Sequence, residues 1–259
     1  MDWIFKAALT AATVFAVVTA ARHLGRRAAG VMAALPIITA PTLAWVSHEQ
    51  GVAFAVSAAV GSVSASAIMA IFALAYARGS RLGGVGTALA CGLAGALAIA
   101  VPAAMVSARL GAALALALVC CSVALVAVPV RARLAAPVRQ SRLAPVAVAL
   151  VSGGLCALAA TIGPDLGGFA TGLLSSLPLI GGGVAILEHA TSGPSAAERF
   201  LHGYVRGLFG KTAFGAVFAL LAMHVGAASA LLLGTVIACI FSRSWGRPLP
   251  EVPSLQQRD

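Results

Sequence analysis

Charged residues are scarce in this sequence. Only 9% of its 259 residues are charged, whereas roughly a quarter are charged in a soluble domain, and 61% are apolar. Acidic residues are the rarer charged class, with 7 Asp and Glu against 17 Lys and Arg. The mean hydropathy is +1.01. This composition excludes an ordinary soluble domain and indicates an integral membrane protein.

The motifs of the common enzyme classes are also absent from the sequence. It has no His-Glu-x-x-His, no paired aspartates, no phosphate-binding Gly-Lys loop and no nucleophile elbow. The 5 cysteines lie inside apolar segments without ligand-like spacing, so we expect buried, unreactive thiols. The arginines form no basic stripe with interleaved aromatics, which argues against a nucleic-acid partner. We therefore expect no enzymatic activity, no cofactor and no metal site.

Apolar runs of about 20 residues predict an all-α polytopic membrane fold with about nine transmembrane helices. The predicted spans, numbered 1 to 9 along the chain, are 4–21, 28–46, 52–77, 84–106, 111–130, 144–161, 167–187, 202–223 and 226–242. The lipid bilayer is their expected surroundings. Most basic residues are Arg, and Ala and Gly are abundant, as in membrane proteins from high-GC bacterial genomes. We therefore expect the bacterial inner (cytoplasmic) membrane.

The basic residues are concentrated on one side of the predicted bundle. Thirteen arginines fall in the loops after predicted spans 1, 3, 5 and 7 and in the C-terminal tail, whereas only Lys6 and Arg109 fall on the opposite side. Because short cytoplasmic loops retain Lys and Arg, we predict an external N-terminus and a cytoplasmic C-terminus. The alternative is a signal peptide cleaved after Ala20 or Ala21, which would oppose this charge bias.

Two predicted spans carry a similar interruption. "ALPIITAPT" places Pro36 and Pro41 in predicted span 2, and "SSLPLIGGG" places Pro178 in predicted span 7. A shift of 142 residues aligns these stretches, and with four extra residues in the second loop Gly61 then aligns with Gly207. Predicted spans 1 to 4 match spans 6 to 9 in order. The predicted domains are membrane repeat 1 (1–109), a connector helix with a basic cytoplasmic loop (110–143), membrane repeat 2 (144–242) and a disordered cytoplasmic tail (243–259).

A single connector helix between two four-helix units makes the units cross the membrane in opposite senses. Inverted repeats with helices interrupted near the midplane are typical of secondary transporters. Proline also frees a backbone carbonyl, which a membrane tolerates where the backbone packs in protein or lines a wet cavity. We therefore predict substrate binding where predicted spans 2 and 7 meet, at Pro36, Pro41, Pro178, Gly181 and Gly182. The alternative is two kinks satisfied by neighbouring helices, with the glycines serving close packing.

Predicted span 8 carries two basic residues, Arg206 and Lys211, and Lys211 lies about 12 Å inside it. Ionisable groups are costly inside a membrane and usually face an interior cavity. We add both residues to the predicted substrate site, where an anionic ligand would be a natural partner of Lys211. The alternative is snorkelling of both side chains to the headgroups. Glu188, His189 and His202 lie nearer the cytoplasmic side and are candidates for proton coupling.

The stretch "AGVMAALPIITAPTLAWVSHEQG", preceded by "FKAALTAATVFAVV", resembles the GlpM-like small inner-membrane proteins. An Ala-Gly opening, a proline in the same helix and a Ser/His-Glu-x-Gly ending recur in that family. The resemblance covers roughly the first 110 residues, and the second half matches less closely, although Gly172 and Pro178 are kept. It implies two such units fused head to tail and a link to envelope polysaccharide production, and it transfers no functional residue.

Together these features predict a secondary transporter or permease of a small solute, anionic if it pairs with Lys211, with alternating access around the broken spans 2 and 7. The alternative is a non-transporting accessory protein of envelope or polysaccharide biosynthesis, in which the intramembrane charges would tolerate replacement. Small-residue helix faces permit a homodimer. The sequence identifies neither the substrate nor the coupling ion.

Overall fold

The computed structural model describes residues 3–21, 36–128, 144–176 and 179–245, and within these ranges it contains helices and no strands. The helices are α1 (Trp3–Ala21), α2 (Thr39–Glu49), α3 (Val52–Gly79), α4 (Val85–Val106), α5 (Leu110–Ala127), α6 (Ala144–Thr161), α7 (Gly163–Leu166), α8 (Gly168–Leu174), α9 (Leu179–Ser192), α10 (Pro194–Val225) and α11 (Ala227–Trp245). The prediction of an all-helical fold is confirmed. Pro178, the basic loops after predicted spans 1 and 5 and the C-terminal tail after Trp245 lie outside the described residues.

Four of the described helices are long and apolar enough to cross a bilayer, namely α3, α4, α5 and α10. They contain 28, 22, 18 and 32 residues. About 20 apolar residues span the hydrocarbon core, because an α-helix rises about 1.5 Å per residue. Shorter apolar helical stretches occur in α1, α6 and α11. The chain is a membrane-embedded helical protein.

The outer faces of the bundle are apolar, unlike those of a soluble protein. The central helix α3 buries most of its length, including Ser62, Ser64 and Ser66. Large apolar side chains instead lie on the outer faces of α4 and α5, where Met105 is 80% exposed and Val126 is 88% exposed. An apolar exterior around a partly polar interior suits hydrocarbon surroundings, in which buried hydroxyls find partners between helices.

The two long central helices, α3 and α10, pack along each other and run antiparallel. In order along α3, the paired residues are Ser62 with Lys211, Met69 with Tyr204, and Arg81 (just beyond α3) with Glu198. The residue numbers of the partners in α10 decrease as the residue numbers along α3 increase. Helices from the two halves of the chain therefore meet in opposite directions.

Helix contacts in the first half have counterparts in the second half. α4 packs on α3 as α11 packs on α10, and α2 packs on α3 as α9 packs on α10. The start of α3 also resembles that of α10: Gly51 (φ 87°) and Gly193 (φ 81°) precede the two helices in the left-handed region that favours glycine. These two glycines lie 142 residues apart, which is the shift that aligns the two proline-containing stretches of the sequence.

Both predicted interruptions contain non-helical backbone. Pro36, Ile37 and Ile38 precede α2, and Pro41 lies in its first turn, where a backbone N–H has no partner within the helix. In the second half, α8 ends at Leu174 and a turn at Ser175 and Ser176 follows before α9. Predicted span 7 is therefore two helices rather than one.

The helix α10 is longer than predicted. The sequence analysis starts predicted span 8 at residue 202, because the preceding residues are polar, whereas α10 begins at Pro194. Proline suits the first turn of a helix, since its fixed φ is helical and its missing N–H is not needed there. The added turns place Glu198 inside the helix.

Candidate functional site

Lys211 lies near the middle of α10 and only 5% of it is exposed. Because an α-helix rises about 1.5 Å per residue, Lys211 lies about 25 Å along the helix from Pro194 and about 21 Å from Val225. The side chain extends into the bundle toward α3. Snorkelling to the headgroups, the alternative left open by the sequence, is not the arrangement of Lys211 in this structure.

The Lys211 ammonium lies within hydrogen-bond distance of four serine oxygens. Nζ is 2.9 Å from Ser62 Oγ, 3.1 Å from the Ser62 carbonyl oxygen, 2.9 Å from Ser176 Oγ and 3.5 Å from Ser66 Oγ. Ser62 and Ser66 belong to α3, whereas Ser176 lies in the turn after α8. We call Lys211, Ser62, Ser66 and Ser176 the lysine–serine cluster.

The serines of the lysine–serine cluster are also linked to each other. Ser62 Oγ and Ser176 Oγ are 2.9 Å apart, and either can be the donor. The Ser66 hydroxyl donates to the Ser62 carbonyl oxygen at 3.2 Å. One network thus joins α3, α10 and the turn after α8.

Close packing of α3 against α8 brings Ser176 to Lys211. A Cβ on Gly61 would lie 2.8 Å from the carbonyl oxygen of Gly168 and 2.8 Å from the Cα of Phe169. A Cβ on Gly172 would overlap the backbone of α3 at Ala58 and Ser62. Small residues let helix backbones approach in this way inside membranes. The glycines therefore set the distance between the turn after α8 and α3.

The two interrupted regions of the chain also contact each other. The Thr39 hydroxyl, at the start of α2, donates to the Ser175 carbonyl oxygen at 3.2 Å. The neighbouring Ser176 contacts Lys211. The described parts of the two interruptions therefore meet beside the lysine–serine cluster, and Pro36 is buried near the start of α2.

Gly181 and Gly182 lie in α9 and serve its packing. A Cβ on Gly181 would overlap the ring of Tyr204 in α10. A Cβ on Gly182 would lie 3.3 Å from Cζ of Phe72 in α3. Both glycines therefore face aromatic side chains of neighbouring helices, and their part in substrate binding stays a prediction.

A second polar region lies near the C-terminal end of α3. His189 Nδ1 is 3.3 Å from Tyr76 Oη, and Arg81 Nε donates to Glu198 Oε1 at 2.8 Å. Glu198 is 0% exposed. Tyr76 lies 14 residues beyond Ser62 along α3, which corresponds to about 21 Å. The structure therefore separates His189 from Lys211.

The other predicted proton-coupling and binding residues also lie on α9 and α10. Glu188 is half-buried one position before His189. His202 and Arg206 are half-buried on α10, between Glu198 and Lys211. These side chains occupy the length of α10 between the second polar region and the lysine–serine cluster.

A third polar contact lies near the N-terminal end of α3. Lys6 Nζ and Glu49 Oε2 form an ion pair at 2.5 Å that joins α1 to α2, and Lys6 is 2% exposed. Lys6 is predicted on the external side, and Glu49 lies between predicted spans 2 and 3 on the same side.

The serine partners of Lys211 were missed by the sequence analysis. Ser62 and Ser66 are four residues apart and share a helix face, so their spacing was the available signal. Ser176 had no such signal, because it reaches Lys211 only through the packing of α8.

Within the part of the chain that the structure describes, no group of three or more His, Cys, Asp or Glu side chains is arranged to hold a metal ion. No known protein family, curated protein or solved structure matches the chain. Its function is therefore inferred from its own residues.

Proposed function

We propose that this chain is a secondary transporter or permease of a small solute. The observation that carries the proposal is the contact between the buried Lys211 ammonium and Ser176, which lies at a helix interruption. An ionisable group deep in a membrane helix is costly and usually marks a substrate or ion pathway. Irregular backbone at that depth packs in protein or lines a cavity. Both features occur at one place in this chain.

The proposed architecture has nine spans in two inverted four-helix repeats, joined by α5. The antiparallel packing of α3 and α10, which correspond to the matched predicted spans 3 and 8, supports opposite crossing directions. The corresponding contacts within the two halves support a repeat. A pair of fused GlpM-like units is the origin that the sequence resemblance implies.

The proposed location is the bacterial inner membrane, with an external N-terminus and a cytoplasmic C-terminus. The charge bias of the loops supports this orientation. The contacts agree with it, because Arg81 and Glu198 are both predicted on the cytoplasmic side and contact each other. Likewise, Lys6 and Glu49 are both predicted on the external side and form an ion pair.

In this mechanism the two repeats rock against each other and expose the lysine–serine cluster alternately to each side. The Arg81–Glu198 ion pair joins repeat 1 to repeat 2, so it separates when the cytoplasmic side opens. The Thr39–Ser175 hydrogen bond also joins the two repeats, beside the cluster. Proton coupling through Glu188, His189 or His202 is part of the proposal.

Cysteine accessibility tests alternating access without knowledge of the substrate. Ile37 lies in the first interruption and is half-buried. In a background with the 5 native cysteines replaced by alanine, Ile37→Cys is treated with a membrane-impermeant maleimide in intact cells and in inside-out vesicles. We expect labelling from both sides. Ala67→Cys, at a 0% exposed position of α3, is the control and stays unlabelled from either side.

Labelling of Ile37→Cys from one side only, or from neither side, contradicts the transporter proposal. No labelling of Ile37→Cys from either side, together with co-purification of an envelope-biosynthesis protein, would support the accessory-protein alternative instead.

A further inference from the structure

We propose that the lysine–serine cluster binds a small anion that carries a single negative charge. The inference rests on the proposed function and deepens it, since it names the chemical class of the solute. Two features of the cluster support it, namely the lack of a counter-charge and an excess of hydrogen-bond donors.

The counter-charge is lacking because no acidic residue is a described contact of Lys211 or lies close to it along α10. The acidic residues of the chain are Asp2, Glu49, Asp165, Glu188, Glu198, Glu251 and Asp259. None falls in α3 or α8, and α10 has none after Glu198. The described atoms that accept hydrogen bonds from Lys211 are all serine oxygens.

The acidic residues nearest in the fold are engaged or positioned elsewhere. Glu49 pairs with Lys6, and Glu198 pairs with Arg81. Asp165 is exposed before α8. Glu188 lies about 13 Å along α9 from its first residue. A buried charge is stable only when it is paired and hydrogen-bonded, so an anion would supply the counter-charge that the Lys211 ammonium lacks among the described residues.

One serine hydroxyl of the lysine–serine cluster has no acceptor among the described contacts. Each serine hydroxyl carries one hydrogen and accepts through its lone pairs. Ser66 uses its hydrogen on the Ser62 carbonyl oxygen. Ser62 and Ser176 share one hydrogen bond, in which only one of them donates. Among the described contacts, the other hydroxyl hydrogen has no acceptor, and it lies beside the ammonium. An anion satisfies both groups.

Helix starts add positive potential near the cluster. The 11-residue α2 begins at Thr39, which donates to Ser175, and the 14-residue α9 begins three residues after Ser176. Helix N-termini carry partial positive charge and favour anions, as at the substrate sites of transporters with broken helices.

Charge and size limit the anion. One ammonium neutralises one negative charge, and a second charge would stay uncompensated in a low-dielectric interior. α3 and α8 touch at Gly61 and Gly172, where a Cβ would overlap backbone atoms, so a large anion beside the cluster would have to separate the two helices.

Cys121 is buried in α5, a helix that packs against α10. A thiol is mostly protonated at neutral pH, so it supplies little counter-charge in its ordinary state. Replacement of Cys121 by alanine tests this point directly.

The test is the thermal unfolding of the purified full-length protein in detergent, with formate, nitrate or chloride replacing gluconate at constant ionic strength. A ligand that binds only the folded state raises the unfolding midpoint by mass action. We expect a saturable rise with at least one of the three small monovalent anions, and no saturable rise with sulfate as the doubly charged probe. Any saturable rise in gluconate-balanced sulfate overturns the single-charge assignment.

Matched variants locate the anion. Lys211→Met is expected to weaken binding by about 10- to 100-fold, because a hydrogen bond to a charged group is lost. Ser176→Ala is expected to weaken it by about 2- to 10-fold. The double variant Lys6→Met/Glu49→Gln removes the other buried lysine together with its counter-ion and is expected to bind as the wild type does.

Several outcomes overturn the proposal. These are no saturable rise with any of the three anions, an equal rise in wild type and Lys211→Met, or a loss in Cys121→Ala as large as that in Lys211→Met. If Lys211→Met does not fold, Lys211→Arg and Ser176→Ala provide the comparison. The labelling of Ile37→Cys is scored separately. Anion binding without labelling of Ile37→Cys from both sides refutes the transport proposal alone. Labelling from both sides without anion binding refutes the anion proposal alone.

Discussion

The Ser176 hydroxyl lies 2.9 Å from the Lys211 ammonium, although 35 residues separate the two positions along the chain. Ser176 belongs to a turn between two helices, whereas Lys211 lies in the middle of a long continuous one. This contact therefore ties a buried charge directly to an interruption in the helical backbone. Any displacement of the turn changes the surroundings of that charge.

The two buried lysines of the chain are expected to respond oppositely to replacement by methionine. Lys211→Met removes a buried charge that has no carboxylate partner among the described residues, so we expect unchanged or higher stability in gluconate, by up to about 3 kcal/mol. Lys6→Met leaves Glu49 without its ion-pair partner, so we expect a loss of about 1–2 kcal/mol. Thermal unfolding of both variants in the same detergent is the measurement.

A clear loss of stability in Lys211→Met, as large as that in Lys6→Met, would mean that the lysine–serine cluster is a structural cross-link. Lys211→Arg serves as the charge-retaining control.

Glycine replacements test the packing that positions Ser176. In Gly61→Ala the new Cβ would lie 2.8 Å from backbone atoms of α8, which cannot rotate away, so we expect a loss of about 1–3 kcal/mol. Gly183→Ala is the control, because a Cβ there meets nothing within 4 Å and alanine favours a helix by about 1 kcal/mol. Unfolding midpoints give the comparison, and equal effects at the two positions would contradict the close approach of α3 and α8.

The sequence predicts the extent of helices whose apolar runs end at glycine, serine or charge. The predicted ranges 84–106 and 144–161 agree closely with α4 and α6. The start of α10 differs from the prediction, because "PSAAER" is not an apolar run and yet forms helix after Gly193. Alanine, glutamate and arginine are good helix formers, so helix propensity would have extended the prediction.

The sequence predicts the interruptions but not their partners. Proline chemistry marked the region before α2, and depth inside predicted span 8 singled out Lys211. The ion pair of Glu198 was not predicted, because its partner Arg81 lies 117 residues away. Such contacts depend on how α3 and α10 pack, which local periodicity does not encode.

Replacement of Arg81 alone is expected to destabilise the protein more than replacement of Arg81 and Glu198 together. Glu198 is fully buried, whereas the Arg81 side chain is 36% exposed, so solvent weakens the pair and we expect Arg81→Ala to cost about 1–3 kcal/mol. Most of this cost is the unpaired buried carboxylate. Arg81→Ala/Glu198→Gln should therefore be more stable than Arg81→Ala alone, as measured by thermal unfolding. Equal stability of the two variants would show that the carboxylate finds another partner.

The ends of α3 and α10 give a direct measure of inverted topology. Leu82, just after α3, is 79% exposed, and Val225, at the end of α10, is 46% exposed. Because the two helices are antiparallel, we expect these positions on opposite sides of the membrane. In the background without native cysteines, an impermeant maleimide should label Leu82→Cys only in inside-out vesicles and Val225→Cys only in intact cells. Labelling of both on one side would exclude opposite crossing by the two halves, whereas exchange of the two sides would keep the inversion and reverse the proposed orientation.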